Sequence, residues 1–237
     1  MTVKLNKLDG SNNAGKNPTE LLILLAKQSQ KLKVEQSVAA LTDNSSGDAT
    51  PAADSVQTVG AFANEADAGG GGSSADATAA AAVLVTVKNA ITELVAKTNE
   101  YAEVLGLAEL TDNSGGAAVD GTIAAIDTTV TAATTGAQAT ETNAARLTIN
   151  AAFLEIGTKV NEIASALGLE ELTLDDTATT PDGTVAAVTT AVGSAADPAV
   201  SKTAFDAAVV KWTDNVAFIA AKLNEFRTVA PVEIVAV

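Results

Sequence analysis

The chain has 237 residues, with 29 Asp and Glu against 14 Lys and Arg, and its formal net charge is therefore −15 at pH 7. It contains no Cys and no His, which excludes disulfides, thiolate metal sites and imidazole catalysis. The acidity argues against a nucleic-acid partner, because phosphate contacts need clustered Lys and Arg. The apolar residues are mostly Ala and Val, so one large compact core is not expected.

The first predicted unit, residues 1–38, is an N-terminal arm with a helix. Residues 1–35 hold six Lys against three acidic residues, a net charge of +3, so the remaining chain sums to −18. The run "LLILL" is apolar on more faces than one helix contact requires. We expect the unit to anchor the protein on a partner; a solubilising terminus is the alternative. The anchor residues would be Lys4, Lys7, Lys16, Leu21, Ile23 and Leu24.

No targeting segment is expected in the chain. The run "LLILLA" is too short for a secretory signal peptide and lacks a cleavage site of small residues. No stretch is expected to reach the ~20 apolar residues of a transmembrane helix. The sequence therefore predicts a soluble protein, made in a cytoplasm, with no membrane partner.

An internal repeat organises the rest of the chain. "KTNEYAEVLGLAEL" begins at Lys97, "KVNEIASALGLEEL" at Lys159 and "KLNEF" at Lys222, at spacings of 62 and 63 residues. A weaker copy begins at Gln28. The repeat predicts four helices and three intervening loops. The predicted units after the arm are a loop with a Gly-rich joint (39–79), two helical repeat modules (80–141 and 142–203), and a terminal helix with an apolar tail (204–237).

Apolar residues recur in the predicted helices at alternating spacings of three and four. This heptad pattern predicts short coiled-coil modules, and Ile, Phe and Trp at its positions favour three strands over two. We therefore expect a mainly helical, elongated homotrimer with long irregular or extended loops. The residues of this seam are Leu84, Val87, Ile91, Leu94, Ile149, Phe153, Ile156, Val160, Ile163, Val209, Trp212, Val216, Ile219, Leu223 and Phe226.

The loops repeat as well. "LTDNSGGAAVDGTIAAI" begins at Leu110 and "LTLDDTATTPDGTVAAV" at Leu172, each just after a glycine, Gly106 or Gly168, that is expected to end a helix. The Asp, Asn and Gly residues favour turns. An apolar pair in each loop, such as Val185 and Val188, permits a short helix or an extended segment. We expect an extended or irregular backbone, packed on a neighbouring subunit.

No catalytic, cofactor or metal site is expected. The chain has no nucleophile motif, and "GGGG" is not followed by the G-K-[ST] of a phosphate-binding loop. The Asp-rich turns match no EF-hand, so we expect them to serve as turns and caps, with calcium binding as the alternative.

The repeats resemble those of a known group of proteins. "LTDNSGG…DGTIAAI", a following Thr- and Ala-rich stretch and a helix ending "AKLNEFR" are similar to repeats of tailed-bacteriophage virion proteins, notably head-fibre and capsid-decoration proteins. The resemblance covers residues 84–228. It implies a non-enzymatic homotrimer on the virion surface, bound to the major capsid protein and assembled in the host cytoplasm.

Two other classes of protein fit parts of the pattern. A secreted bacterial surface adhesin or filament subunit should carry an export signal, which the sequence does not show. A monomeric helical-repeat scaffold should have two strongly amphipathic helices in each repeat, and only one is evident. The apolar tail "VAPVEIVAV" is expected to pack back on the trimer or on a partner.

Overall fold

The chain alternates long helices with pairs of short parallel strands. A computed structural model describes residues 18–44, 54–62, 74–113, 121–131, 137–175, 184–192 and 202–228. The helices are α1 (Pro18–Ser37), α2 (Ser74–Leu105), α3 (Ala137–Leu167) and α4 (Lys202–Thr228). The strand pairs are β1 (Thr42–Asn44) with β2 (Ser55–Gln57), β3 (Thr111–Asn113) with β4 (Thr122–Ala124), and β5 (Thr173–Asp175) with β6 (Thr184–Ala186). The prediction of a mainly helical protein is confirmed.

Two helices end where glycine was expected to end them. Gly106 has a φ of +71°, a conformation that favours glycine. The amide of Gly106 donates to the carbonyl of Glu103 at 3.1 Å, and that of Leu107 donates to Ala102 at 2.8 Å. This pair of bonds is a Schellman motif, which satisfies carbonyls left open at a helix end. The same pair recurs at Gly168, at the end of α3.

The predicted seam is the core of a single chain. All fifteen seam residues are buried, none more than 9 % exposed, and all belong to one hydrophobic cluster. Helices α2, α3 and α4 contact one another pairwise. The narrow apolar stripe on each helix is therefore covered by helices of the same chain. The expectation that no single large core forms was wrong. Each of the three long stripes is poor in large side chains, but together they form one hydrophobic core.

The three core helices run in the same direction. The hydroxyl of Tyr101, near the end of α2, donates to the carbonyl of Leu223, near the end of α4, at 2.6 Å. Between α3 and α4, the side chain of Asn150 binds the backbone of Val188, and that of Asn215 binds the backbone of Ala186. These contacts join the middle of α3 to the middle of α4. The direction of α3 follows from α1, because its Lys33 reaches Val104 at the end of α2 while its Lys27 lies beside Gly168 at the end of α3, so the three helices end on the same side.

The strand pairs occupy equivalent places in the repeat. They are in parallel register, with Thr42 opposite Ser55, Thr111 opposite Thr122 and Thr173 opposite Thr184. β2 contacts α2, β4 contacts α3 and β6 contacts α4. The recurring apolar pair is therefore extended rather than helical. It packs on helices of its own chain, and the expectation of a neighbouring subunit was wrong.

One asparagine of each repeat fastens the strand pairs to the helices. Asn99 accepts a bond from the Leu110 amide at 2.8 Å and donates to the Leu110 carbonyl at 2.9 Å. Asn161 does the same to Leu172, at 2.6 and 2.8 Å. A carboxamide carries one acceptor and two donors, so it can pair with both polar groups of a peptide unit. We call these paired contacts the amide clamps.

The third amide clamp joins the last helix to the first strand pair, so that the core helices and the strand pairs form a closed ring. Asn224, in the last helix, binds the amide of Leu41 at 2.9 Å and its carbonyl at 3.0 Å, although the two residues are 183 positions apart. The residue of α1 at the corresponding position before Leu41 is Gln30. The first strand pair is therefore bound to α4, the last helix, by this clamp. Each strand pair lies between two neighbouring helices, in the cyclic order α2, α3, α4.

If the core lies within one chain, truncating a buried apolar residue should lower the free energy of unfolding much more than truncating an exposed one. Truncating Ile156, which is 0 % exposed, to alanine removes a core side chain and leaves a cavity, and should lower the free energy of unfolding by about 2–5 kcal/mol. The fluorescence of the single Trp, Trp212, follows unfolding in denaturant because its ring is fully buried. Leu147→Ala, at a position 59 % exposed in the same helix, is the matched control and should cost less than about 0.5 kcal/mol. Equal losses would contradict the assignment of the core.

The ring closure can be tested by breaking its clamp. Asn224→Ala leaves the amide and carbonyl of Leu41 without partners and should cost about 1–3 kcal/mol, since buried unpaired groups keep their desolvation penalty. Hydrogen exchange at the Leu41 amide should become faster while the Leu172 amide is unaffected. Asn161→Ala should give the reverse pattern. Unchanged protection of Leu41 in Asn224→Ala would show that the clamp does not hold β1.

Candidate functional site

The charged residues of the repeat form pairs on the outside of the core. Lys97 binds Glu100 at 2.7 Å, Lys222 binds Glu225 at 2.9 Å, and Lys159 binds Glu162 in the same way. The three lysines are only 2–11 % exposed. Their aliphatic stems cover apolar surface while the ammonium groups stay paired. The "KxNE" signature of the repeat therefore has a structural explanation.

Lys97 has a second acidic partner, which is specific to the first strand pair. Its ammonium also binds the carboxylate of Asp54, just before β2. Asp54 has a φ of +65° and stands where Gly121, with a φ of +76°, precedes β4. Burial, and next the nearby charge of Asp54, raise the pKa of Glu93 above its ordinary value. The group is an ion-pair network joining β2 to α2.

Two buried titratable residues act as donors to the backbone. Burial raises the pKa of the Tyr101 phenol well above its ordinary value, so the hydroxyl stays protonated and keeps its bond to Leu223. Burial lowers the pKa of the Arg146 guanidinium, which donates to the carbonyl of Val188. Both groups join a helix to an element that is distant in sequence. The pKa shifts of both residues therefore follow from their burial within the fold.

Among the described residues, the exposed large apolar side chains that are closest together in sequence lie on α1. Leu22, Ile23 and Leu25 are 65, 52 and 46 % exposed, and Leu24 is half-buried. We call these four residues the α1 apolar face. Of the predicted anchor, Ile23 and Leu24 belong to this face; Lys4, Lys7, Lys16 and the Leu21 side chain lie outside the described residues. Leu22 and Leu25 were not among the predicted anchor residues.

The second half of α1 holds this face at one end of the bundle. α1 contacts all three core helices, and its Val34 is completely buried. The ammonium of Lys33 donates to the carbonyl of Val104, in the last turn of α2, at 2.5 Å. The Lys27 ammonium lies beside Gly168, where an added methyl group would come within 3.0 Å of it. Cations are favoured at helix C-termini, so these lysines seat α1 across the ends of α2 and α3.

The other exposed large apolar residues among those described form a second group. Val85, Leu147 and Val210 are 41, 59 and 59 % exposed. They occupy the same repeat position on α2, α3 and α4, at the spacings of 62 and 63 residues. The repeat spacing shows that the three positions are equivalent, but their exposure is evident only in the structure. They lie towards the opposite end of the bundle from α1.

The described residues contain no cluster of three or more acidic side chains able to hold a metal ion. Calcium binding by the Asp-rich turns stays a prediction, because four aspartates of those turns, Asp48, Asp120, Asp176 and Asp182, lie outside the described residues.

One described segment, Ala77–Leu105 of α2, is long and apolar enough to cross a membrane, with a mean hydropathy of 1.5. The expectation that no such stretch exists was wrong. A core helix passes the same test, and here the segment packs against α3 and α4.

The backbone at Asp54 generates a testable prediction. Asp54→Gly and Asp54→Ala both lose the ion pair with Lys97, but only alanine must hold a side chain at positive φ. Asp54→Ala should therefore be less stable than Asp54→Gly by about 1 kcal/mol in denaturant unfolding. Gly121→Ala is the control: no atom lies within 4 Å of its added Cβ, so its similar cost would come from backbone conformation alone. Equal stability of the two Asp54 variants would contradict this account.

Comparisons with protein-family models, with curated proteins and with solved structures gave no match to this chain. The resemblance to tailed-bacteriophage virion proteins therefore stays a prediction carried by the repeat sequences.

Proposed function

We propose that this protein is a non-enzymatic structural protein of a tailed-bacteriophage virion, a head fibre or capsid decoration. It attaches to the major capsid protein through the α1 apolar face and projects the helical bundle from the capsid surface. The observation that carries the proposal is the exposure of Leu22, Ile23 and Leu25 within four residues at one end of the bundle. A compact group of exposed aliphatic residues marks an interaction surface.

The arrangement of the bundle supports this role. The clamps, the ion pairs and the buried Tyr101 and Arg146 all join parts of the fold, which is what a rigid surface component requires. α1 packs through its second half and presents its first half outward, so the attachment surface stands on a fixed element. The basic N-terminal arm, residues 1–17, would add a salt-sensitive attraction to an acidic partner.

The homotrimer expected from the seam takes a different form in this proposal. The fifteen seam residues are buried within one chain and are not available to bind other chains. One chain therefore supplies the three parallel helices that three chains were expected to supply. A homotrimer would have to associate through outer surfaces of the bundle.

Attachment is tested by cosedimentation of the purified protein with capsids that lack it, prepared from the phage whose genome encodes the chain. Ile23→Asp places a charge on the α1 apolar face. Because burying one such side chain stabilises a contact by roughly 1.5–3 kcal/mol, capsid affinity should fall at least about tenfold. The melting temperature should stay unchanged, since Ile23 is 52 % exposed.

Val210→Asp is the matched control, because it puts the same charge at a position 59 % exposed on a core helix. It should leave capsid affinity unchanged. Normal occupancy of capsids by Ile23→Asp would refute attachment through α1. Failure of the unmodified protein to bind any such capsid, together with its absence from purified virions by mass spectrometry, would refute the virion role itself.

A further inference from the structure

A lysine and an aspartate meet between α2 and β2, in the ion-pair network around Lys97. The ammonium of Lys97 binds the carboxylate of Asp54, and the lysine side chain is only 2 % exposed. The side chain of Asp54 is 36 % exposed. The two functional groups that an amide bond joins, an amine and a carboxyl group, are therefore already in contact, which is the first requirement for a reaction between them.

The other repeats show that the fold does not need this aspartate. Asp54 stands directly before β2, and the residues at the corresponding places before β4 and β6 are Gly121 and Gly183. Asp54 is the only non-glycine residue with a positive φ among those that the structure describes. A side chain is strained in that conformation, and an ion pair with a partly exposed carboxylate stabilises a fold only slightly. The strain therefore indicates a role for the Asp54 carboxyl group beyond the ion pair.

Glu93 is placed to transfer protons between these two groups. It lies four residues before Lys97 in α2, on the same face of the helix. Its equivalent in the next repeat, Glu155, accepts a hydrogen bond from the amide of Gly121 at 2.9 Å, so this helix position faces the residue before the strand. Burial, and next the charge of Asp54, raise the pKa of Glu93, whereas the charge of Lys97, a smaller effect, lowers it. A carboxylate with a raised pKa is a better acceptor for the ammonium proton.

We propose that Lys97 and Asp54 form an intramolecular isopeptide bond between Nζ of the lysine and Cγ of the aspartate. Glu93 accepts a proton from the Lys97 ammonium, and the neutral amine attacks Cγ. The bond from Cγ to one carboxyl oxygen breaks, and that oxygen leaves as water with the proton returned by Glu93 and a second proton from the nitrogen. The ammonium and the carboxylate together lose one water molecule and their two opposite charges, and Glu93 ends in its starting state.

The bond joins the first strand pair to the core covalently. Along the chain, β2 and α2 are separated by residues 58–73, which include four consecutive glycines at 69–72. The isopeptide bond bypasses this connection, so α1 and its apolar face are held to the bundle by a second covalent link. The proposal does not depend on the virion role, although a firm link between an attachment surface and the body of the protein suits that role.

The intact mass of the purified full-length protein tests the bond. Electrospray mass spectrometry of the unmodified chain should give a mass below that of the sequence by one water molecule. Lys97→Arg and Asp54→Gly each remove one of the two reacting groups, and both variants should have the full mass of their sequences. After proteolysis of the unmodified protein, fragmentation should find a branched peptide that joins residue 54 to residue 97.

Glu93→Gln tests the proton transfer, and Glu155→Gln, at the equivalent position of the next repeat, is the matched control. In protein isolated soon after synthesis, Glu93→Gln should lose water at least about a hundredfold more slowly than the unmodified protein, and Glu155→Gln should lose it at the normal rate. Trp212 fluorescence verifies that both variants are folded, because its ring is buried. Equal rates in the two variants would overturn the role of Glu93.

Two results would overturn the isopeptide bond itself. One is the full sequence mass in a folded, unmodified protein after prolonged incubation at neutral pH. The other is a loss of water that fragmentation assigns to Asp54 alone, without a link to Lys97, because an aspartate can also lose water by forming a cyclic imide with its own backbone.

Discussion

The fold depends on the burial of three narrow apolar stripes against one another. Each core helix has apolar residues on one side only, and a helix of this kind is stable in water only when that side is covered. Leu84, Ile156 and Ile219 represent the three stripes, and each is completely or almost completely buried in the common cluster. Few large side chains are available, so the core gains its size from helix length rather than from side-chain volume.

Parallel packing of consecutive helices creates a second requirement, which the strand pairs meet. The chain must return from the end of one helix to the beginning of the next, and its backbone groups need partners on the way. Each return begins at an amide clamp, as at Asn99 and Asn161, and continues as a strand bonded to its neighbour. The clamp at Asn224 joins Leu41 to α4 by the same kind of contact, although the two residues lie near opposite ends of the sequence.

Much of this fold could be predicted from the sequence. Helix number, the ends at Gly106 and Gly168 and the buried heptad positions follow from local periodicity and turn chemistry, which each segment carries in its own residues. Whether the stripes meet within one chain or between chains could not be predicted, because the same heptad pattern serves both. The ring closure depends on Asn224 reaching Leu41, a contact that no local spacing encodes. On α1, the apolar run indicated a binding surface, but the division between buried and exposed leucines depends on how the second half of the helix packs.

The central claim is that one chain closes the three-helix core. The most direct measurement is thermal unfolding of the unmodified protein over a thousandfold range of concentration, followed by Trp212 fluorescence, with sedimentation giving the mass of the folded species. A core within one chain predicts a melting temperature independent of concentration and a folded particle of 23.6 kDa at the lowest concentration. A melting temperature that rises steadily with concentration, with a folded particle of three times that mass, would contradict the account and place the seam between chains.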